Sequence, residues 1–124
     1  VQLGTIFCCA EECTAHANYK NAIIKAGDRG TVVTGRITGH PVRILKNKLA
    51  REFDKMESAH CSVEEFEKLG AGKLKVAVVD GDADYGSVMA GQISGMVTEI
   101  KPASKIIEDM MKGAKDTVQA LKNI

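Results

Sequence analysis

Val1-Gln2-Leu3-Gly4-Thr5-Ile6-Phe7 opens the chain, and this apolar run with a Gly-Thr break is typical of a buried strand. Such a strand needs neighbours, because the backbone groups along its edges would otherwise lie unpaired. The run Thr31-Val32-Val33-Thr34 is a second β-branched strand, and few further strands are evident. We therefore expect a piece of a longer protein. A processed small domain with this strand at a sheet edge is the alternative.

The composition is typical of a soluble globular chain and excludes several classes of function. The 124 residues are 44% hydrophobic and 27% charged, with 17 Lys and Arg against 16 Asp and Glu. This balance, together with 4% aromatic residues and no Trp, offers no basic or stacking surface for nucleic acid. The apolar runs are far shorter than the ~20 residues of a membrane span, so we expect no membrane segment.

The four cysteines favour a reducing compartment. Cys8 and Cys9 are adjacent and difficult to bridge, and we expect no signal peptide before them. We therefore expect free thiols in a cytoplasmic protein. Cys8, Cys9, Cys13 and His16 lack the paired spacing of a structural zinc site, and we predict no metal. Cys61 has no visible partner that would make it a nucleophile.

Apolar spacing predicts two helices in the first half of the chain. Residues 16–25 have helical character, and a glycine-rich turn at residues 27–30 separates them from the strand at residues 31–34. Pro41 suits the first turn of a helix. The apolar residues after it recur every three to four positions, which predicts a long amphipathic helix over residues 41–57.

Capping signals predict three further helices. Ser62 and Glu65 form a capping box, so a helix starts there and ends near residues 70–72. Ser87 is predicted to cap a helix that runs to Val97. Pro102 opens the last helix. Its predicted buried stripe consists of Ile106, Ile107, Met110, Met111, Ala114, Val118 and Leu121.

Two glycine-containing segments are candidates for ligand binding. Gly4-Thr5 follows the predicted strand, and loops after the last strands of a parallel barrel commonly bind phosphate. Glycine permits close approach to an anion, and threonine offers both an amide and a hydroxyl donor. The run from Gly86 to Gly95 is rich in small residues, and Gln92 within it can donate and accept. On the residues alone, a plain turn and a tightly packed core helix are the commoner explanations.

Gly39-His40-Pro41-Val42-Arg43 is a third candidate. The imidazole of His40 could serve as an acid or base near neutral pH. By spacing alone, however, the segment is more typical of a loop that starts a helix, with Arg43 on a solvated face.

Taken in order, these segments resemble FabK-type enoyl-acyl-carrier-protein reductases, with a looser similarity to nitronate monooxygenases. Val1-Gln2-Leu3-Gly4-Thr5 resembles the eighth barrel strand of that family, and Gly39-His40-Pro41-Val42-Arg43 resembles the helix that follows. The most specific match is Gly86-Ser87-Val88-Met89-Ala90-Gly91-Gln92-Ile93-Ser94-Gly95. Residues 73–79 suit a strand by propensity and a short helix by the resemblance, and we favour the helix.

The resemblance implies an α/β fold, the C-terminal portion of a TIM (β/α)8 barrel with a small helical insertion, in which this piece is mostly helical. Residues 1–14 would be the last strand and phosphate loop, residues 15–85 a mainly helical insertion, and residues 86–124 helices that return to the barrel. FMN would then be the cofactor. Its phosphate would lie at Gly4 and Thr5, and Met89, Ala90 and Gln92 would lie beside the ring.

The resemblance also implies a reaction and partners. NADH or NADPH would reduce a trans-2-enoyl thioester on acyl carrier protein, with FMN as hydride carrier, in bacterial type II fatty acid synthesis. His40 and Arg43 are candidates for the mouth where nicotinamide and acyl substrate alternate. The proton donor would lie upstream, so no catalytic residue is assigned here, and no role is transferred to Cys8, Cys9 or Cys13. A requirement for a monovalent cation stays open.

Two other functions remain as alternatives. One is a nitronate monooxygenase that uses FMN and oxygen, and the other is a helical interaction domain without a cofactor. The resemblance further implies a cytoplasmic homodimer completed by a missing N-terminal part of the same protein. This piece alone would be inactive.

Overall fold

The computed structural model describes residues 1–122 as a mostly helical α/β chain, which confirms the predicted character of this piece. Its helices are α1 (Thr5–Cys8), α2 (Ala17–Lys25), α3 (Lys48–Ser58), α4 (Val63–Gly70), α5 (Lys73–Val78) and α6 (Ala103–Leu121). Its strands are β1 (Thr31–Thr34) and β2 (Val42–Leu45), and 3₁₀ turns lie at Arg36–Thr38 and Gln92–Met96.

Strand β2 is paired along both of its edges. On one edge, β1 runs antiparallel to it, with Thr31 opposite Leu45. On the other edge, the Leu45 N–H donates to the Val88 carbonyl at 2.9 Å, and Met89 stands opposite Ile44 in an antiparallel bridge. The segment around Met89 therefore takes the place of a third strand.

Adjacent residues of β2 enter different apolar cores, because successive strand side chains point to opposite faces. The core around Leu45 contains the buried residues Cys9, Tyr19, Ile23, Ala77, Val88, Ala90 and Val97. The core around Ile44 contains Leu49, Ala50, Phe53 and Phe66, and the rings of Phe53 and Phe66 stack with centroids 4.5 Å apart. One short strand thus joins the two halves of the packing.

The predicted helix over residues 41–57 is wrong in its first part. Residues 42–45 form β2, and α3 begins only after Asn47. The Asn47 side chain accepts a hydrogen bond from the Ala50 N–H at 2.8 Å, as a helix N-cap does. The β-branched Val42 and Ile44 favour the strand once β1 and the Met89 segment supply partners on both edges.

The predicted strand over residues 1–7 is also wrong. Residues 1–4 have no regular structure, and Thr5–Cys8 form α1. Val1 and Leu3 are exposed. No segment of residues 1–122 pairs with Val1 to Gly4, and a strand without a neighbour has nowhere to place its backbone hydrogen bonds.

A third correction concerns the helix predicted from Ser87 to Val97. Residues 87–91 are not helical, and a 3₁₀ turn, Gln92–Met96, follows them. The backbones of Val88 and Ala90 form hydrogen bonds to β2 on either side of Met89, and these pairings replace helical hydrogen bonds. Ser87 is buried, and Gly91, not Ser87, is the residue before the first helical position of this turn.

Helix α6 begins at Ala103, after Pro102, as predicted. The Ala103 N–H donates to both oxygens of the Glu12 carboxylate, at 3.1 and 2.9 Å, and this bond lowers the pKa of Glu12 below its usual value. Ala10 forms a parallel bridge to Lys101. The start of α6 is therefore attached to residues 10–12.

The predicted buried stripe of α6 is wrong beyond its first turn. Ile106 is buried, but Ile107, Met111, Val118 and Leu121 are 52 to 62% exposed. Residues 111–122 are all exposed, so no described element covers that half of the helix.

The remaining local predictions are confirmed. Ser62 and Glu65 form the predicted capping box at the start of α4. Residues 73–78 are helical, as favoured, and helix α2 begins within a residue of its predicted start.

Within residues 1–122, no helix has the combined length and apolarity that crossing a membrane requires.

Candidate functional site

The backbone of Met89 is fixed from two sides. Besides its bridge to Ile44, its carbonyl accepts a hydrogen bond from the Tyr19 hydroxyl at 2.8 Å. Tyr19 is buried, and desolvation, followed by the neighbouring Cys8 thiol, raises its pKa to about 12. The phenol is therefore protonated at neutral pH and can donate to this carbonyl. The Met89 side chain, by contrast, is 39% exposed.

Thr5 is joined to this segment across 86 positions of sequence. The Gly91 N–H donates to the Thr5 hydroxyl oxygen at 2.9 Å. The structure thus brings together the Gly4-Thr5 loop and the segment that contains Met89, Ala90 and Gln92, although the sequence pattern treats them as separate candidates.

The start of α1, at Gly4 and Thr5, retains unused donors that suit an anion. Within residues 1–122, no hydrogen bond is donated by the backbone N–H groups of Gly4, Thr5 and Ile6 or by the Thr5 hydroxyl. A side chain built on Gly4 would meet nothing within 4 Å, so the space beside it is open. Several N–H and O–H donors next to open space fit a phosphate group.

The other predicted cofactor residues differ in exposure. Gln92 is exposed and opens the 3₁₀ turn, while Ala90 is buried. The Ala90 N–H donates to the Arg43 carbonyl at 3.3 Å, which extends the pairing with β2. Gln92 and Met89 therefore offer accessible side chains, and Ala90 contributes packing.

Met89 also lines a cleft of about 310 Å³ together with His40, which the sequence placed at a substrate mouth. The cleft has mixed walls. Its apolar lining comes from Val42, Phe53, Phe66, Ala71, Leu74 and Met89, and its polar lining includes Thr34, Thr38, His40, Glu67 and Ser87. An apolar pocket with a few polar groups is the usual form of a small-molecule site.

Arg43 does not share this cleft. Its guanidinium donates to the Thr31 hydroxyl at 3.0 Å on the neighbouring strand. Val42 lines the cleft together with His40, and Arg43 follows Val42 in β2. Because successive strand side chains point to opposite faces, Arg43 lies on the face of β2 away from His40.

Asn47 is a structural residue that the sequence assigned no function. Its side-chain amide donates to the carbonyls of Ala83 and Gly86, both at 2.8 Å, while its oxygen caps α3. The segment before Met89 is therefore attached to the start of α3. Asparagine is a preferred N-cap, so the sequence did contain a signal for a helix start at Asn47. Because the helix was predicted to start at Pro41, Asn47 lay in its predicted interior.

The cysteines form no evident reactive centre. All four are free. Burial and the neighbouring Cys8 raise the pKa of Cys9 to about 11, and burial and the charge of Cys13 raise the pKa of Cys8. Thiols are therefore the stable form of both at neutral pH, which opposes nucleophilic or metal-binding roles. In the part of the chain that the structure describes, no three His, Cys, Asp or Glu residues are grouped so as to hold a metal ion.

Comparisons with known proteins place these features in a family. A family model described as nitronate monooxygenase matches residues 1–113. The solved structure of FabK from Thermotoga maritima is 44% identical and superposes with a TM-score of 0.93, covering 99% of this chain and 39% of that one. Nitroalkane oxidase from Streptomyces ansochromogenes is 28% identical, with a TM-score of 0.72, over 97% of this chain and 34% of its own.

Curated relatives show the same partial coverage. A probable nitronate monooxygenase of Staphylococcus saprophyticus is 29% identical over 94% of this chain and 32% of that protein. An indene-carboxyl-CoA dehydrogenase of Mycobacterium tuberculosis is 23% identical over 92% of this chain and 42% of its own. The chain thus spans about a third to two-fifths of the proteins it matches. The FabK and nitroalkane oxidase structures are of the TIM barrel family, which confirms the predicted fold class.

A pair of glycine substitutions tests the close packing that supports Met89. A Cβ on Gly86 would lie 2.6 Å from the Ala77 backbone nitrogen, whereas one on Gly113, within α6, would meet nothing within 4 Å. We expect Gly86→Ala to lower the unfolding midpoint by several degrees, because backbone must move. Gly113→Ala should leave the midpoint unchanged or raise it, since alanine is the better helix former. Equal midpoints for the two variants would contradict this packing.

Proposed function

This chain belongs to the nitronate monooxygenase family, and from that premise we propose that it forms part of an FMN-dependent enoyl-acyl-carrier-protein reductase. NADH or NADPH would be the reductant and a trans-2-enoyl thioester the substrate. The supporting observation is the similarity to FabK of Thermotoga maritima, at 44% identity over 99% of this chain.

Gly4 and Thr5 would bind the FMN phosphate through the backbone N–H groups and the hydroxyl that donate to no acceptor within residues 1–122. Met89, Ala90 and Gln92 would border the ring, held at their place by β2 and by the bond from Gly91 to Thr5. When bound, FMN supplies the hydride chemistry. The protein contributes binding, orientation and exclusion of water.

The cleft between His40 and Met89 would receive substrate. Its apolar lining favours an acyl chain or a nicotinamide face. His40 offers a donor and an acceptor at the edge of this lining. Arg43 bonds to Thr31 and does not line the cleft. We therefore propose that Arg43 does not contact the substrate directly.

The resemblance predicted the last strand and phosphate loop at residues 1–14. Without that strand, we propose residues 1–14 as phosphate loop, residues 15–85 as mainly helical insertion, and residues 86–124 as helices that return to the barrel. The rest of a longer protein would supply the proton donor. A homodimer, a cytoplasmic location and an acyl carrier protein as substrate carrier belong to the same proposal.

A second candidate is a nitronate monooxygenase. The matching family model and the Staphylococcus saprophyticus relative both have that description. The higher identity to FabK and the Mycobacterium tuberculosis relative, whose name specifies a coenzyme A thioester, favour a thioester substrate.

Substrate assays on the full-length protein separate these candidates. We expect a yellow protein that oxidises NADH or NADPH when crotonyl thioester is added, with no comparable turnover of a nitronate. Heat-released FMN serves as the cofactor control. Consumption of the nitronate alone would refute the reductase assignment.

Thr5 substitutions test the FMN phosphate site. Thr5→Val removes a hydroxyl that both accepts from Gly91 and is available to a phosphate. Because a hydrogen bond to a charged group contributes about 1.5–3 kcal/mol, the Kd for FMN should rise roughly tenfold or more. Thr5→Ser retains the hydroxyl and should bind nearly as the wild type does. The measurement is the fluorescence of FMN released on dilution, and equal Kd values for Val and Ser would contradict the site.

His40 and Arg43 form a matched pair for the cleft. His40→Ala should raise the KM for the thioester or for the nicotinamide severalfold, because His40 lines the cleft. Arg43→Ala should leave both KM values near wild type, since its guanidinium bonds to Thr31 instead. Both variants should retain FMN. If Arg43→Ala raised either KM more than His40→Ala did, the substrate would bind on the face of β1 and β2 that carries Arg43.

A further inference from the structure

The cleft of His40 and Met89 has a buried inner wall. Four of the residues that line this cleft are only 2 to 7% exposed: Thr34, Phe53, Phe66 and Ser87. We call these four residues the inner wall. It presents two aromatic rings, stacked with their centroids 4.5 Å apart, and two hydroxyl groups.

The hydroxyl of Thr34 is covered by protein and has no hydrogen-bond partner within residues 1–122. Thr34 is the last residue of β1 and pairs with Val42, which lines the same cleft, so the two side chains lie on one face of the hairpin. A buried hydroxyl without a partner lowers the stability of a fold, and valine would fill nearly the same space without that cost. Threonine at this position therefore indicates a hydrogen-bond partner outside the described chain.

Ser87 contributes the second hydroxyl of the inner wall. Its backbone N–H donates to the Lys73 carbonyl at 2.8 Å, which attaches the residue to the start of α5. Its hydroxyl, by contrast, makes no hydrogen bond within residues 1–122. Thr34 and Ser87 thus belong to the two segments that flank β2, and both line the same cleft.

The lining of the cleft favours a neutral polar group. Within residues 1–122 no lysine or arginine lines the cleft, and Glu67 brings a carboxylate to it, so a phosphate or carboxylate would meet like charge. Each hydroxyl of the inner wall can donate and accept. An amide suits such a pair, because its carbonyl accepts and its N–H donates. A thioester carbonyl, which only accepts, would use one hydroxyl and leave the other unpaired.

We propose that the hydroxyls of Thr34 and Ser87 bind an amide group of the ligand that enters this cleft. One hydroxyl donates to the amide carbonyl, and the other accepts from the amide N–H. The covered Thr34 hydroxyl reaches the ligand when its side chain rotates between staggered positions about the Cα–Cβ bond. This inference rests on the function proposed above, which supplies two kinds of amide: the carboxamide of nicotinamide, and the amides in the pantetheine arm of an enoyl thioester.

Thr34→Val in the full-length, FMN-loaded protein tests the proposal. We expect the KM for NADPH or for crotonyl coenzyme A to rise roughly threefold to tenfold, because one hydrogen bond to the ligand is lost. The kcat should stay within about twofold, since Thr34 binds a group remote from the reacting atoms. The unfolding midpoint without ligand should rise, because an unpaired buried hydroxyl is removed, whereas a purely structural hydroxyl would lower it on removal. Thr34→Ser retains the hydroxyl and should keep both KM values near wild type.

Thr31→Val is the matched control on the same strand. Thr31 pairs with Leu45 on the face of the hairpin opposite to that of Thr34, and its hydroxyl accepts from Arg43 at 3.0 Å. Both KM values should therefore stay within about twofold of wild type. An equal rise in the two variants would show that the strand as a whole matters, and it would overturn the role of the cleft hydroxyl.

Calorimetry identifies which amide is bound. If it is the carboxamide, Thr34→Val should weaken the binding of NADP⁺ and leave unchanged that of the phosphorylated ADP-ribose that remains when nicotinamide is removed. If it is the pantetheine arm, the variant should weaken the binding of coenzyme A and leave unchanged that of its adenine nucleotide half. A loss of affinity that extends equally to the two amide-free parts would overturn amide recognition.

These binding measurements need no turnover, so they separate failure of the amide site from failure of the proposed function. If wild type reduces no thioester, the reductase assignment fails, and the binding data still decide the amide site. Equal affinities of wild type and Thr34→Val for both NADP⁺ and coenzyme A would overturn the proposal. Absence of binding of both ligands to wild type would overturn it as well.

Discussion

The pairing of β2 along both of its edges is the interaction on which the rest of the structure depends. β1 occupies one edge and residues 88–90 the other. Because Ile44 and Leu45 point to opposite faces, the same four residues also join the two apolar cores. Loss of this strand would separate the cores and release the backbone of Met89 together, so the packing and the site share one support.

Local signals in the sequence predicted the elements whose partners are local. The capping box of Ser62 and Glu65 closes within three residues, and α4 follows as expected. The helix predicted over residues 41–57 is wrong in its first part because Val42, Leu45 and Leu49 also fit a helical spacing. Only partners that are distant in sequence favour a strand there. The helix predicted from Ser87 to Val97 is wrong for the same reason, because the backbone hydrogen bonds at its start go to β2 and not to its own next turn.

The site shows a similar limit. Family resemblance named Gly4, Thr5, Met89, Ala90 and Gln92, but the bond from Gly91 to Thr5 spans 86 positions, and no local pattern encodes it. Nor could spacing separate His40 from Arg43, because their division depends on residues 42–45 being a strand. The role of Tyr19 likewise depends on a carbonyl 70 positions away.

Met89 shows how this architecture can combine precision with adaptability. Its backbone is held by the hydrogen bonds of Val88 and Ala90 to β2 and by the Tyr19 hydroxyl, while its side chain is partly exposed in the cleft. An unbranched thioether adjusts to different apolar surfaces at small cost. A fixed backbone with an adaptable side chain suits a cleft that would accept a nicotinamide and an acyl chain in turn. The rigid part comes from the β2 pairing, and the adaptable part is the Met89 side chain.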